Sequence, residues 1–303
     1  MQSAVRQVRG VAQLFRPKPV VSWGVAAFVL GAAIAVGRTG YDVSLVNGGL
    51  ALALVALAQG IVSHGLNDAY DWLTGTDKES IGKGTGGSRV IPEGKMTVLG
   101  TIAAALVGLA GVVAIGAHFA VQFGTPMVVL LAVAIWSPVA YSVPPLKLGY
   151  RPFNEIVVVL PALVGVVVGT DMVLAGGWSM VAVGAGWVHA MFCISWFIVS
   201  RVPDYHPDKR VGKVTSVVFV GRENAALLSS AYLALGLAPA LYLALGVSPA
   251  FAITPIVWAW MMLGLEALDP YDEDNASRVR LRNMHWTSIH AVVLAVLMVV
   301  SGV

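Results

Sequence analysis

Nine apolar runs, each about as long as a membrane is thick, alternate with short polar segments along this 303-residue chain. They fall at about 20–37, 44–66, 97–119, 121–141, 154–174, 178–200, 224–245, 248–268 and 284–303. A helix needs about 20 apolar residues to cross a hydrocarbon core of about 30 Å. None of the runs shows the alternating pattern of about ten residues that marks a membrane barrel. Lipid cannot satisfy an open backbone, which leaves a helical bundle. The pattern predicts an all-α, polytopic bundle of nine transmembrane helices, a single domain over residues 1–303. Composition agrees, with 57% hydrophobic and 12% charged residues and a mean hydropathy of +0.80. Soluble domains carry about 25% charged residues.

The basic residues orient the bundle. Eighteen of the 19 Lys and Arg fall at the N-terminus and in the 2–3, 4–5, 6–7 and 8–9 loops. Only Arg38 falls in a loop on the other side. By the positive-inside rule the N-terminus is cytoplasmic and the C-terminus outside. The net charge of +3 then reflects loops near anionic lipid and implies no nucleic-acid partner. The basic, partly apolar "VRQVRGVAQLFRPKP" reads as an interfacial lead-in, with no convincing cleavage site after span 1. The single cysteine, Cys193, lies mid-span and reads as a buried apolar thiol.

Two internal loops are long and polar, at about 67–96 and 201–223. Each opens with acids and continues into Lys, Arg and Gly. In the first, Asn67 and Asp71 stand four apart; in the second, Asp204 and Asp208 do. On a helix that spacing puts both side chains on one face. Pro207 is compatible with a helix only near its start. Carboxylates gathered at a membrane edge repel one another and resist desolvation. Divalent cations remove the conflict, and magnesium commonly uses one or two carboxylates plus substrate phosphates. An isolated acidic pair is usually a cap or a solvated turn. Two pairs on one membrane side, each trailed by basic residues, point instead to two metal ions gripping a phosphorylated substrate. "GKGTGG" (82–87) formally satisfies a dinucleotide fingerprint, but a membrane helix precedes it instead of a strand, so it reads as a flexible loop or lid.

Other polar residues have plainer readings. Tyr70, Trp72, Trp136, Tyr141 and Trp196 are candidates for stabilising a cation, yet aromatics at span ends are usually belt residues. His64 and His189 read as satisfied polar contacts, and Asp171 and Glu266 as solvated. The mixed-charge stretch Asp269 to Arg282 has no spacing that makes a site. A transporter would place its ionisable groups near the bilayer midplane, on broken helices. Here the acids sit at cytoplasmic ends, which disfavours that class.

Five islands then resemble, in order, the UbiA superfamily of intramembrane prenyltransferases: "FRPKP", "NDAYDWLTGTD", "SRVIPEGKMT", "YSVPPLKLGYRPFNEI" and "DYHPD". The resemblance covers nearly the whole chain. It implies nine helices and Mg2+-dependent transfer of a prenyl group from a polyprenyl diphosphate to an aromatic acceptor among membrane lipids. It implies two Mg2+ ions, with Asn67 and Asp71 on one and Asp204 and Asp208 on the other. Asp68 and Asp77 would support the first motif. Arg16, Arg89, Lys147, Arg151, Lys209 and Lys213 are the implied diphosphate ligands, and Tyr141 and Ser142 the polar pair near the cavity. Asp68, Asp71 and Asp204 are the implied catalytic acids, Asp68 or Asp71 being the nearest candidate for the base. The step from Asp71 to Asp77, with "RPK" and the 4–5 loop, is most similar to 1,4-dihydroxy-2-naphthoate prenyltransferases of menaquinone synthesis. A hydroxybenzoate, a glycerol phosphate ether lipid or a carotenoid remains an alternative acceptor.

Overall fold

The computed structural model describes residues 2–79 and 87–302, with the side chains of 9–78 and 87–302. Lys83 and most of the "GKGTGG" segment lie outside the described residues. Among the described residues the protein is helical throughout, with nine helices long and apolar enough to cross a membrane. We number them as spans 1 to 9: Pro17–Thr39, Leu45–Thr74, Val98–Phe123, Thr125–Ser142, Glu155–Ala175, Met180–Ser200, Arg222–Gly246, Pro249–Glu266 and Glu273–Ser301. The apolar runs therefore became helices in the expected number and order. Local signals set several starts: Ser44, Thr97 and Ser179 each accept a backbone N–H from the first turn of spans 2, 3 and 6.

Two boundaries differ from the expectation in ways that matter. Span 2 does not stop where its apolar run stops. It continues to Thr74 and carries the first acidic motif as its last turns, before Gly75 ends it in a left-handed conformation. Span 9 begins at Glu273, capped by Asp272, so Arg278, Arg280 and Arg282 lie on a helix and not in a loop. Helical periodicity continues through polar residues that a hydropathy count treats as loop.

Spans 2, 3 and 4 pack on one another, and spans 6, 7, 8 and 9 form a second group. Span 5 joins the groups on one side, against spans 4 and 6, and span 1 packs on spans 5, 6 and 9. Span 6 is the most buried of the nine. Large apolar residues such as Leu45, Leu99, Val121, Leu245 and Val300 are left on the outside, as lipid contact requires. Three π-helical stretches, Val21–Val25, Ala56–Ser63 and Glu155–Val159, widen spans 1, 2 and 5. Such widened turns concentrate at functional sites, and each of the three lines the same internal cavity.

Asp171 corrects the expectation of a solvated acid. It is fully buried in span 5, where Arg38 donates to both of its oxygens at 2.7 and 2.9 Å and Ser179 donates at 2.8 Å. Arg38 sits in the last turn of span 1, not in a loop, and also donates to the Gly177 carbonyl. The pair therefore ties spans 1 and 5 to the 5–6 loop. Cys193 is a buried free thiol, as expected. His189 has one satisfied nitrogen, Nε2, 3.0 Å from the Trp23 carbonyl, while its Nδ1 is buried without a partner.

Candidate active site

The two acidic motifs converge. Asn67 and Asp71 share a helix face, and the Asn67 amide donates to Asp71 Oδ2 at 3.1 Å. The second motif forms the short helix Tyr205–Arg210, with Pro207 in its first turn, where its missing N–H is not needed. The Asp208 N–H donates to the Asp204 carbonyl at 2.8 Å, so these two acids are also one helical turn apart. Lys213 lies between the motifs. Its ammonium donates to Asp71 Oδ2 at 3.0 Å and lies 3.9 Å from Asp208 Oδ1. Burial alone would lower the Lys213 pKa, but Asp71 and Asp208 outweigh it and hold it well above the ordinary lysine range.

The surplus of buried acid is visible in the carboxyls outside the spans. Burial, then the charges of Asp71 and Asp68, push Asp77 up to about 8. Burial raises Asp208 to about 7, against the pull of Lys213 and with Asp204 adding to the rise. One ammonium does not neutralise this group. The donors are hard oxygens on two facing helices, which suits a divalent cation that keeps waters and phosphate in its shell. Among the described residues no three acids or histidines close around one point. A cation here would thus leave positions open for a ligand.

Asp68 fixes the loop. Asp68 accepts the Ser88 N–H at 3.0 Å and also the Ser88 hydroxyl, and its other oxygen has no partner. Gly87, at φ +66°, is pressed against it: a Cβ there would lie 2.4 Å from Asp68 Oδ1 and 3.3 Å from Asp77 Oδ2. Gln13 of the lead-in helix donates to the Ser88 carbonyl at 2.7 Å. The first motif, the 2–3 loop and the N-terminal helix are thereby locked together.

The expected diphosphate ligands and the polar pair occupy different surroundings. Arg16 and Tyr141 line the cavity, and Lys213 bridges the motifs. Lys147 lies over the rings of both Tyr70 and Tyr150 at 4.7 Å. Arg89 approaches Glu93 at 3.9 Å. Arg16, Arg89 and Lys147 all have positive φ, at 50°, 66° and 42°. Such strain is retained where surrounding structure demands it. Arg151 and Lys209 are exposed, Lys209 lying 5.6 Å from the Tyr205 ring. Ser142 is buried with its hydroxyl unpartnered.

Several site residues carried no local signal. Tyr150 donates to Asp71 Oδ1 at 2.6 Å and meets the Thr74 hydroxyl at 2.5 Å. It lies within the "YSVPPLKLGYRPFNEI" island, but nothing in its spacing points to Asp71. Arg201 donates to the Tyr141 hydroxyl at 3.0 Å and to Asn154 at 3.3 Å, and lies 3.7 Å from fully buried Glu155. Glu155 in turn accepts from Ser216 at 2.7 Å. This chain of contacts joins the ends of spans 4, 5 and 6 to the 6–7 loop. Arg280, from the mixed-charge stretch whose spacing pointed to no site, lines the cavity with Arg16 and Lys18.

The cavity, of about 430 Å³, runs inward from Asn67, His64 and Arg16. Its deep end is apolar, at Phe119 and Met127. Met127 and Tyr141, both on its wall, are fourteen residues apart on span 4, or about 21 Å at helical rise. Chemically it is an elongated, largely apolar chamber with a cationic end at Arg16, Lys18 and Arg280.

Comparison with solved structures gives the same architecture. A UbiA homologue from Archaeoglobus fulgidus bound to GPP and Mg2+ is 18% identical, with TM-score 0.66 over 94% of this chain and 99% of that one. A digeranylgeranylglyceryl phosphate synthase is 14% identical, with TM-score 0.65 over 97% and 99%. The apo UbiA homologue from Aeropyrum pernix K1 is 18% identical, with TM-score 0.58 over 92% and 98%. No curated protein sequence matches. Residues 14–289 match the UbiA prenyltransferase family, so this chain belongs to that family and is a membrane-embedded prenyltransferase.

Proposed function

We propose that the protein transfers a prenyl group from a polyprenyl diphosphate to an aromatic acceptor within the membrane, releasing pyrophosphate, with 1,4-dihydroxy-2-naphthoate as the acceptor and menaquinone synthesis as the setting. The observation that carries the reading is the convergence of the two motifs on Lys213 at the mouth of an elongated apolar cavity. The Archaeoglobus relatives bound to GPP or DMAPP and Mg2+ support it. On this reading Asn67 and Asp71 hold one Mg2+ and Asp204 and Asp208 another. Bound there, the ions would supply Lewis-acid stabilisation of the departing diphosphate.

The chain's own residues do the rest. Arg16, Lys147 and Lys213 place positive charge at the mouth, where diphosphate charge develops. Tyr150 holds Asp71 in position while Asn67 binds its other oxygen. The apolar cavity excludes water from a carbocation-like prenyl group. The π faces of Trp196 and Tyr141 on its wall are placed to attract that positive charge. The electron-rich ring attacks the prenyl carbon, and the naphthoate loses its carboxylate as the ring recovers its aromaticity. The positive-inside pattern supports a cell-membrane protein with its N-terminus and this mouth in the cytoplasm.

The test is transfer by purified protein given Mg2+, a labelled prenyl diphosphate and a panel of acceptors: dihydroxynaphthoate, hydroxybenzoate, glycerol phosphate ether lipid and carotenoid. Preferred formation of prenylated naphthol with release of pyrophosphate supports the proposal. Preference for another acceptor reassigns the substrate, and failure with every acceptor, together with solute flux in vesicles, rejects the enzymatic reading.

A further inference from the structure

The cavity has two chemically different walls. Spans 2 to 5 contribute mainly aliphatic side chains, while spans 1, 6 and 9 contribute Trp23, Trp196 and Phe197 beside Arg280 and Met284. Trp23 meets Trp196 and Phe197 edge to face, each with centroids 5.1 Å apart and planes at 88°. The indole N–H groups of Trp23 and Trp196 are buried without partners. Beyond shielding a prenyl cation, that wall suits a flat, polar-edged ring, whose faces pack on the aromatic rings and whose hydroxyls meet the indole edges.

Arg280 stands at the cytoplasmic end of the same wall, one helical turn above Met284. Its Nε is buried and has no hydrogen-bond partner. Neither Arg16, Lys18 nor Arg280 forms an ion pair with a described carboxylate. A half-buried guanidinium whose Nε lacks a partner is stabilised when an anion completes it. Asp71, Asp208 and Lys213 do not line the cavity, so the diphosphate centre proposed above meets it through Asn67 and Arg16. Arg280 faces the chamber from span 9.

Resting on the proposed prenyl transfer, we propose that Arg280 is the anchor for a carboxylate borne by the aromatic acceptor, whose ring lies on the Trp23–Trp196–Phe197 wall. The planar guanidinium fork matches a carboxylate in two parallel hydrogen bonds. The ring's apolar faces replace water against the indoles, and its hydroxyl groups reach the buried indole edge. The substrate class is therefore a hydroxylated aromatic carboxylate, as opposed to a neutral hydroxyarene or a non-aromatic phosphate.

The experiment compares wild type with Arg280→Ala, Arg280→Gln and Arg280→Lys in two assays. In turnover, KM is measured separately for dihydroxynaphthoate and for the prenyl diphosphate. In binding, quenching of tryptophan fluorescence is titrated with hydroxynaphthoate and with naphthol, in metal-free protein lacking prenyl diphosphate. Arg280→Ala is expected to raise KM for the carboxylated acceptor about tenfold or more, with the diphosphate KM within about twofold. Hydroxynaphthoate binding weakens in parallel, naphthol binding is unchanged, and Arg280→Lys recovers part of the loss. If Arg280→Ala misfolds, Arg280→Gln, which keeps the side-chain volume, gives the same reading. A raised diphosphate KM, or equal weakening of hydroxynaphthoate and naphthol, overturns the proposal. Absence of transfer by wild type rejects the prenyl-transfer reading instead. The titration then still decides: carboxylate preference lost in Arg280→Ala upholds the anchor, and no preference overturns it.

Discussion

Lys213 donates a 3.0 Å hydrogen bond to Asp71, joining the 6–7 loop to the end of span 2 through a pair that is almost wholly buried. With Asp208 3.9 Å away on the other side, this ammonium is the covalently tethered cation of an acid-rich site. Replacing it with methionine leaves buried carboxylates uncompensated, a change that costs about 3–5 kcal/mol when one partner of a buried pair is removed. Lys213→Met should lower the melting temperature of metal-free protein measurably, and added Mg2+ should recover part of the loss. Thermal unfolding with EDTA and with Mg2+ checks both arms.

Loss of an acid should affect turnover more than folding. Asp71→Ala or Asp204→Ala removes oxygen donors from opposite motifs. Each should reduce kcat by about 10²–10³ or more, the scale at which a single electrostatic contact to developing charge acts. Size-exclusion behaviour and helical circular dichroism should remain those of wild type. Near-normal turnover of either variant at limiting Mg2+ would remove the metal assignment.

Span number and the two motifs were legible in the sequence because their causes are local. Apolar run length sets the spans, and a spacing of four sets the shared face of Asn67 and Asp71. The remainder depends on contacts between segments far apart in sequence. Tyr150 reaches Asp71 across 79 positions and Arg38 reaches Asp171 across 133; no window of sequence contains either relationship. Arg280 was hidden for a different reason. Its helix begins in a charged stretch, so hydropathy placed the arginine in a loop and removed the periodicity that turns it toward the cavity.

The Asp77 carboxyl makes metal-free stability depend on pH. Its folded pKa is raised to about 8 from an ordinary value of 3.8, so between those limits the folded protein holds a proton that the unfolded chain has lost. Stability should therefore fall as pH rises from about 4 to about 8, since it declines with pH wherever the native state binds more protons. Asp77→Asn should flatten that slope. Melting temperatures in EDTA across pH 5 to 8 test it, and a rising or unchanged profile in wild type would contradict the assignment.

Gly87 is required by two constraints at once, a φ of +66° and an Asp68 oxygen where a Cβ would stand. Gly87→Ala would force the Ser88 anchor off Asp68 and loosen the 2–3 loop beside the first motif. We expect kcat/KM for the prenyl diphosphate to fall by about tenfold or more, with little loss of global stability. The control is Gly177→Ala, where a Cβ meets nothing within 4 Å.

At the end of the bundle opposite the acidic motifs, Arg38→Ala strands the buried Asp171 carboxylate, which keeps only its Ser179 hydrogen bond. The expected cost is about 3–5 kcal/mol, the range for stranding one partner of a buried ion pair, and specific activity of the folded fraction should be unchanged. A variant that is stable but inactive would show that this pair acts on the site as well as on the fold.

The central claim is that the two acidic motifs, one at the end of span 2 and one after span 6, build a single metal–diphosphate site. Its most direct measurement is metal-dependent binding of a non-reactive prenyl thiodiphosphate to wild type, Asp71→Asn and Asp208→Asn, with bound Mn2+ followed by electron paramagnetic resonance. The account predicts tight binding to wild type that requires metal, and loss of ligand affinity when either aspartate alone is replaced. Retention of full metal-dependent affinity in one of the two variants would contradict it.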